Sequence, residues 1–221
     1  MTDLSMDPTP TPRLVNGSDD APATLLLAHG AGAAMDSPFM TAIASGLAGV
    51  GWRVVRFEFA YMAKQRMSGK RSPPDRLEKL KQVFLEQVEI EIASRPVFIA
   101  GKSMGGRVAS LLADEISANM NVLGCICLGY PFHPLGKPQQ LRTEHLAVQK
   151  TPTLILQGER DGMGRQDEVE TYTLSPMVSL QWMPAGDHSF KPTRNSGLTE
   201  ADNWTAAVTH SSNFCKRLLN N

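Results

Sequence analysis

The segment at residues 101–105, GKSMG, is the part of this sequence that most directly suggests chemistry. It follows an apolar run and precedes a helical pattern. G-x-S-x-G in that context is typical of a nucleophile elbow, in which a sharp turn lifts a serine hydroxyl above the edge of a sheet. The chain passes close to itself there, so the flanking residues must be glycine. The segment predicts Ser103 as a nucleophile in acyl transfer.

A serine nucleophile needs a histidine base and an acid that orients the imidazole. Asp161 follows the apolar run TLILQ, and His188 follows the later run VSLQWM. The chain order of serine, acid and histidine is the one found with this type of turn. We therefore predict a triad of Ser103, Asp161 and His188. Each partner alone could instead be a turn residue or a solvated loop residue. Other candidates for the acid are Glu159, Asp167 and Asp187.

A second glycine-rich segment, LLLAHGAGA at residues 25–33, ends a predicted strand in a tight loop of small residues. Such a loop can direct a backbone N–H group at a developing oxyanion, together with the N–H group of the residue after the nucleophile. We predict the amides of Ala31 and Met104 in these roles. His29 is expected to pack the loop or to contact substrate rather than to catalyse.

Two phosphate-binding interpretations of the glycines are disfavoured. A P-loop that ends at Gly101-Lys102-Ser103 would need glycine where Pro96 stands. A dinucleotide-binding fingerprint that starts at Gly30 would need glycine at Met35.

Apolar runs alternate along the chain with longer segments of helical period. Most of the runs are nearly continuous in Val, Ile, Leu and Phe, as is typical of strands that are covered on both faces. This alternation predicts an α/β fold with a doubly wound, mostly parallel sheet of about six or seven strands flanked by helices, and a minimal cap or none. The predicted strands are 24–28, 52–57, 97–100, 122–128, 153–157 and 178–183, and the predicted helices are 37–48, 75–93, 106–116 and 201–219.

The composition narrows the class of protein further. The 221 residues include 22 Lys and Arg against 22 Asp and Glu, a balance that disfavours a dedicated nucleic-acid binder. We expect a flexible lead-in over 1–22, a single domain over 23–221, no membrane association and a cytoplasmic location. Two of the three cysteines, Cys125 and Cys127, lie in one apolar run, and we expect their thiols to point to opposite faces of that strand. No metal site is predicted.

The sequence resembles the α/β-hydrolases of the small, dienelactone-hydrolase-like kind. It is similar in particular to bacterial predicted hydrolases related to the eukaryotic NSL acetyltransferase-complex subunit and to testis-expressed hydrolase-like proteins. The resemblance implies the same triad. One departure is that relatives often have Asp-Pro-Phe-Gly after the acid, where this chain has Asp161-Gly162-Met163-Gly164. The matching stretches are HGAGA at 29–33, FEFAYM at 57–62, GKSMGGR at 101–107, the segment 128–146, LILQGERDGMG at 154–164 and GDHSFKP at 186–192.

Two further segments bear on the substrate. A basic stretch at 61–81 includes Lys70 and Arg71, which could recognise an anionic group of the substrate or could simply be solvated. The segment 131–151 is too short for a full helical lid. The tentative substrate-binding residues are His29, Tyr61, Lys70, Arg71, Tyr130, Phe132 and His133.

The predicted function is therefore hydrolysis of a small carboxylic ester or thioester through an acyl-enzyme, without metal or organic cofactor. One alternative is a non-catalytic interaction module that retains the fold. The other is an acyltransferase that uses the same triad.

Overall fold

A computed structural model describes residues 11–220 as one seven-stranded sheet flanked by helices. The strand order is β1-β3-β2-β4-β5-β6-β7. Strand β1 pairs with β3 in the antiparallel sense, and every other pairing is parallel. The strands are β1 (Arg13–Asn16), β2 (Thr24–Ala28), β3 (Arg53–Phe57), β4 (Val97–Lys102), β5 (Val122–Leu128), β6 (Thr153–Gly158) and β7 (Val178–Met183).

Helices cover both faces of the sheet, so the predicted doubly wound architecture is confirmed. The apolar side chains of α3 and α4 pack on one face, and those of α1 and α6 pack on the other. Leu26 of β2 faces the first layer and Leu25 the second, which is why this strand is continuously apolar. The helices are α1 (Pro38–Gly49), α2 (Ala60–Ser68), α3 (Leu77–Ile92), α4 (Met104–Asn119), the one-turn α5 (Gln166–Val169) and α6 (Glu200–Leu219).

Two elements differ from the sequence-based expectation. Residues 13–16 were expected in a flexible lead-in, but they form β1, which Arg13 ties to α3 through an ion pair with buried Glu91. Four residues with two exposed apolar side chains give too weak a pattern to predict a strand. Helix α2 lies where a loop was expected, and Gly69 ends it in the left-handed conformation at φ 67°. Residues 1–10 of the expected lead-in lie outside the described residues.

The strand order creates a crevice beside β2. The chain passes from β2 to β3 on one side and later places β4 on the other side of β2. The connections after β2 and β4 therefore leave the carboxyl edge of the sheet in opposite directions. A crevice opens between two adjacent strands whose connections diverge in this way, and α/β proteins bind ligands there. The loop after β2 and the turn after β4, which is the GKSMG segment, both lie at this point. The connection from β5 to β6 over 129–152 contains no helix, and no helix among the described residues is long and apolar enough to cross a membrane.

Helix α6 is fixed to the sheet by one buried polar contact within an apolar layer. The Trp52 indole N–H donates to Ser212 Oγ at 2.9 Å, and both residues are buried. The neighbouring Ser211 is also buried, but its hydroxyl has no hydrogen-bond partner in the described part of the chain.

These two adjacent serines should respond differently to the same substitution. Ser212→Ala leaves the Trp52 N–H without an acceptor and should lower the free energy of unfolding by about 1–3 kcal/mol. Ser211→Ala removes an unsatisfied buried hydroxyl and should be neutral or stabilising. Urea unfolding of the two variants measures this difference, and equal losses would contradict the assigned contact.

Candidate active site

Ser103 occupies a strained turn between β4 and α4. Its backbone lies at φ 52° and ψ −114°, a conformation that non-glycine residues seldom adopt and that is typical of a nucleophile elbow. The turn exists because the chain crosses itself within van der Waals distance. A Cβ on Gly101 would lie 2.2 Å from the Gly105 carbonyl carbon, and one on Gly105 would lie 2.6 Å from the His29 oxygen. The glycines therefore fix where the Ser103 hydroxyl can be.

His188 and Asp161 form a direct pair at the same edge of the sheet. His188 Nδ1 lies 2.6 Å from Asp161 Oδ2. Asp161 is fully buried, whereas the His188 side chain is 27% exposed. The second carboxylate oxygen, Oδ1, accepts the backbone N–H of Met163 at 2.9 Å. A buried carboxylate bound in this way fixes both the ring orientation and the tautomer that carries its proton on Nδ1.

Gln157 supports that carboxylate, although the sequence analysis assigned it no role. Its Nε2 donates to Asp161 Oδ2 at 2.9 Å and also to the carbonyl oxygens of Tyr130 and Gly164. Its Oε1 accepts the Tyr130 N–H at 2.7 Å. One fully buried amide thus joins the loop after β5 to the acid loop after β6. The sequence signal that could have identified Gln157 is its position as the one polar residue at the carboxyl end of the apolar run TLILQ.

The loop that carries His188 is held by residues from two other elements. Asn203 Nδ2 in α6 donates to the Pro184 and Phe190 carbonyls, and the Trp204 indole N–H donates to the Ser189 carbonyl at 3.1 Å. From β4, Lys102 Nζ donates to the His188 carbonyl at 2.6 Å. The loop needs these contacts because Ala185 and Phe190 both have positive φ, at 51° and 67°.

Ser103 and His188 both lie at the end of β5, Ser103 against Leu128 and His188 against Gly129. The Ser103 N–H donates to the Leu128 carbonyl at 2.9 Å, and a Cβ on Gly129 would lie 3.3 Å from His188 Nδ1. Lys102, next to Ser103, contacts His188 directly. No hydrogen bond within residues 11–220 joins the Ser103 hydroxyl to the His188 ring. Catalytic hydrogen bonds often form fully only when substrate is bound.

The alternative acids all have other partners. Glu159 accepts the Ala185 N–H at 2.6 Å, and Asp187 accepts the N–H groups of Ser189 and Lys191 within its own loop. Asp167 pairs with Arg165 on the surface. Asp161 is the acid that the structure brings to His188.

The loop after β2 lies directly beside the nucleophile turn. A Cβ on Gly30 would lie 3.6 Å from Ser103 Cβ. The Tyr61 hydroxyl donates to the Ala31 carbonyl at 3.1 Å and is also 3.3 Å from the Gly30 carbonyl. Among the described residues, the amides of Ala31 and Met104 donate no hydrogen bond, and Met104 is the first residue of α4. Their proposed role as oxyanion donors stays a prediction.

His29 is fully buried beneath this loop, and both ring nitrogens are bound within the protein. Its Nε2 accepts the Phe59 N–H at 3.1 Å, so Nδ1 carries the proton and donates to the Gly30 carbonyl at 2.7 Å. Burial lowers the pKa of this imidazole and so favours its neutral form. These contacts hold the loop and leave no ring nitrogen for a substrate.

The other tentative substrate-binding residues are distributed differently from the expectation. Tyr130, Phe132 and His133 are buried in the loop after β5 and offer almost no surface to a ligand. Lys70 and Arg71 are exposed in the segment after α2, and within residues 11–220 no hydrogen bond or ion pair joins them to the residues around Ser103. Their proposed role in anion recognition stays a prediction.

The expectation for the cysteine pair was wrong. Cys125 and Cys127 lie two residues apart on β5, so their side chains share one face, with the sulfur atoms 3.9 Å apart. Both are fully buried. Over residues 11–220, no group of three or more His, Cys, Asp or Glu side chains is arranged to hold a metal ion.

Comparison with known proteins agrees with this geometry. Residues 21–216 match the family model described as the alpha/beta hydrolase domain. The chain belongs to the α/β-hydrolase family. The resemblance stated from the sequence motifs is thereby confirmed for the superfamily, whereas the closer relation to the NSL-complex subunit stays a prediction.

Solved α/β-hydrolase structures share the fold at low sequence identity. A serine hydrolase without lid from Xanthomonas campestris is 21% identical, with a TM-score of 0.66 over 96% of both chains. A dienelactone hydrolase from Anabaena variabilis is also 21% identical, with a TM-score of 0.66 over 93% of this chain and 91% of that one. A serine hydrolase homologue from Coxiella burnetii is 20% identical, with a TM-score of 0.64 over 90% of each chain.

The elbow of this α/β-hydrolase should not accept a methyl group at Gly105. In Gly105→Ala, the new Cβ would lie 2.6 Å from the His29 oxygen and 2.7 Å from the oxygen of Ala28, the last residue of β2, and that backbone cannot move without disturbing the central sheet. We expect a loss of about 3 kcal/mol or more in the free energy of unfolding. Gly49→Ala is the control, because nothing lies within 4 Å of a Cβ there and alanine favours a helix by up to about 1 kcal/mol. Unfolding in urea gives both values, and a fully stable Gly105→Ala protein would exclude this packing.

The stability of this α/β-hydrolase should also depend on pH through Lys102. Burial lowers the pKa of the Lys102 ammonium to about 8, although the charges of Asp161 and Asp187 oppose the shift. Between this value and the ordinary lysine pKa of about 10.4, the unfolded chain binds more protons than the native chain, so stability rises with pH. Relative to Lys102→Met, which cannot titrate, the wild type should gain up to about 3 kcal/mol across this interval. Urea unfolding at a series of pH values tests this, and a constant difference between the two proteins would refute it.

Proposed function

We propose that this α/β-hydrolase is a serine hydrolase that cleaves a small carboxylic ester or thioester through an acyl-enzyme. The observation that carries the proposal is the strained turn of Ser103 at the edge of the sheet where His188 and Asp161 are paired at 2.6 Å. A turn of this kind costs about 1–3 kcal/mol and persists only where the surroundings enforce it. A protein with a purely structural role has no need for that arrangement.

In the proposed first step, Ser103 Oγ attacks the carbonyl carbon of the bound ester. His188 Nε2 takes the serine proton, and Asp161 stabilises the imidazolium through Nδ1. The carbonyl oxygen becomes an oxyanion, which the backbone N–H groups of Ala31 and Met104 stabilise. Removal of one such donor typically costs a factor of about 10²–10³ in kcat.

In the proposed second step, His188 returns its proton to the leaving alcohol or thiol, and the C–O or C–S bond breaks. The acyl group then remains on Ser103. Water attacks the carbonyl carbon of this acyl-enzyme while His188 takes its proton. His188 then returns the proton to Ser103 Oγ as the bond between that oxygen and the acyl carbon breaks, and the carboxylic acid leaves. Every proton passes through Nε2, so the ring must keep one orientation throughout, and the contacts of Asp161 and of Lys102 with His188 support that orientation.

The surroundings of the site support a small substrate. The β5–β6 connection contains no helix that could form a separate cap, and its Tyr130 and Phe132 are fully buried. A long acyl chain would therefore find little apolar wall above Ser103. The proposed chemistry needs no cofactor, and a cytoplasmic location stays a prediction.

A fluorophosphonate probe tests the proposed nucleophile directly. Native wild-type protein should be labelled on one serine, and Ser103→Ala should not be labelled. Ser68→Ala, which changes an exposed serine at the end of α2, should label as the wild type does. With p-nitrophenyl acetate and a short acyl thioester as substrates, Ser103→Ala should lose about 10⁶ in kcat if the three residues act as a unit.

The outcomes separate the competing functions. Failure of the native wild-type protein to label would support the non-catalytic module instead. Labelling that persists in Ser103→Ala would place the nucleophile elsewhere.

A further inference from the structure

Arg107 in α4 and Arg142 in the connection from β5 to β6 line one cavity without an acidic partner for either guanidinium in the described chain. Neither guanidinium forms an ion pair or a side-chain hydrogen bond within residues 11–220, and Arg107 Nε is buried with no partner at all. By contrast, Arg66 pairs with both Glu58 and Asp36. Both side chains are only partly buried, but leaving a buried polar atom such as Arg107 Nε without a partner is costly, so this pair requires an explanation.

The two positive charges are close enough to affect each other. Burial lowers the pKa of the Arg142 guanidinium, and the Arg107 charge lowers it further. Burial and then the Arg107 charge also lower the pKa of His145 to about 4, so its ring is neutral at pH 7. The Ser110 hydroxyl donates its one proton to the Arg107 carbonyl at 3.0 Å. It can therefore only accept from His145, so the protonated Nε2 of His145 donates to Ser110 Oγ at 2.9 Å. His145 is thus an uncharged side chain, held in place by Ser110, next to the two positive charges.

A cavity of about 190 Å³ opens between these groups. A water molecule occupies about 30 Å³ in the liquid, so this volume suits a carboxylate or phosphate group and its first waters rather than a whole substrate. Planar guanidinium groups bind both of these anions through paired N–H donors. The cavity is lined by Arg107, Leu111, Leu141, Arg142, Glu144 and His145.

Helix α4 connects one wall of the cavity to the proposed nucleophile. The Arg107 N–H donates to the Ser103 carbonyl at 3.0 Å, one helical turn or about 6 Å along the axis from that residue. Helix side chains lean toward the helix N-terminus, and so toward Ser103. The backbone of Arg142 is fixed at the same end of the sheet. Its N–H donates to the Phe132 carbonyl at 2.8 Å, and its carbonyl accepts the Tyr130 hydroxyl at 2.8 Å.

We propose that Arg107 and Arg142 bind a carboxylate or phosphate group of the substrate whose ester or thioester bond Ser103 cleaves. This assignment of substrate class rests on the proposed serine hydrolase function. It places anion recognition at the arginine pair instead of at Lys70 and Arg71.

Glu144 is the one acidic residue that lines the cavity, and it is exposed. No ion pair joins it to either arginine in the described chain. Its carboxylate opposes a bound anion, so Glu144→Gln should tighten anion binding while both arginine variants weaken it. A merely structural role for the arginines would not produce opposite signs.

Anion binding can be measured without any turnover. Inorganic phosphate and, separately, acetate are titrated calorimetrically into the full chain and into Ser103→Ala, both of which should bind equally. Arg142→Gln and Arg107→Gln should each raise the Kd at least about tenfold, the effect of losing one charge-assisted pair. Arg71→Gln is the matched control and should bind as the wild type does. Circular dichroism verifies that each variant is folded. Arg142→Lys keeps the positive charge but lacks the planar guanidinium group, so it should bind the anion more weakly than the wild type and more tightly than Arg142→Gln.

Kinetics then test the link to substrate. Arg142→Gln should raise KM for p-nitrophenyl hemisuccinate about tenfold relative to the neutral p-nitrophenyl butyrate, with kcat unchanged. No saturable binding of either anion, or equal losses in Arg71→Gln and Arg142→Gln, would overturn the arginine site. Anion binding at the arginines without a preference for the anionic ester would overturn its assignment to the substrate. Since Ser103→Ala still reports anion binding, failure of the hydrolase proposal would be recognised separately.

Discussion

Backbone segments around Ser103 pass each other so closely that hydrogen is the largest side chain possible at Gly101, Gly105 and Gly106. A Cβ at these positions would lie 2.2, 2.6 and 2.7 Å from backbone atoms. The contact locks the start of α4 against the ends of β2 and β4. It thereby sets the position of the Ser103 hydroxyl, the direction of the free amides of α4, and the place where Arg107 emerges. The other residues of the site are arranged around the Ser103 turn, whose backbone is held in one position by this close packing.

The partners of Ser103 are held in another way, by buried polar side chains rather than by close backbone packing. Gln157 binds the acid loop to the loop after β5, and Asn203 binds the histidine loop to α6. The Gln157 amide takes part in four hydrogen bonds and the Asn203 amide in two, in a low-dielectric interior where a missing partner costs free energy. The serine turn and the histidine loop are therefore held by different kinds of contact, and Lys102 at the end of β4 joins the two.

The sequence was sufficient for the sheet, most helices, and the pairing of Asp161 with His188, because those features follow from apolar periodicity and from the ends of parallel strands. It was insufficient for β1, whose short run includes exposed Leu14 and Val15. It was also insufficient for Asn203, because an asparagine within an amphipathic helix gives no sign of which loop it will bind. Arg107 and Arg142 are 35 positions apart, and only tertiary structure shows that their charges lie together. The error over Cys125 and Cys127 arose from neglecting the two-residue period of a strand.

The hydrogen bonds from Asn203 and Trp204 of α6 to the histidine loop affect the order in which the site can form during synthesis. Chains are synthesised from the N-terminus, so residues 184–190 leave the ribosome before Asn203 and Trp204 can reach them. The serine turn has all of its close packing partners earlier, from residues before 130. A nascent chain halted before α6 would therefore contain the packing partners of the serine turn, and Asp161 and Lys102 for His188, but would lack the Asn203 and Trp204 contacts with the histidine loop. Synthesis of α6 would then be the event that completes the catalytic machinery proposed here.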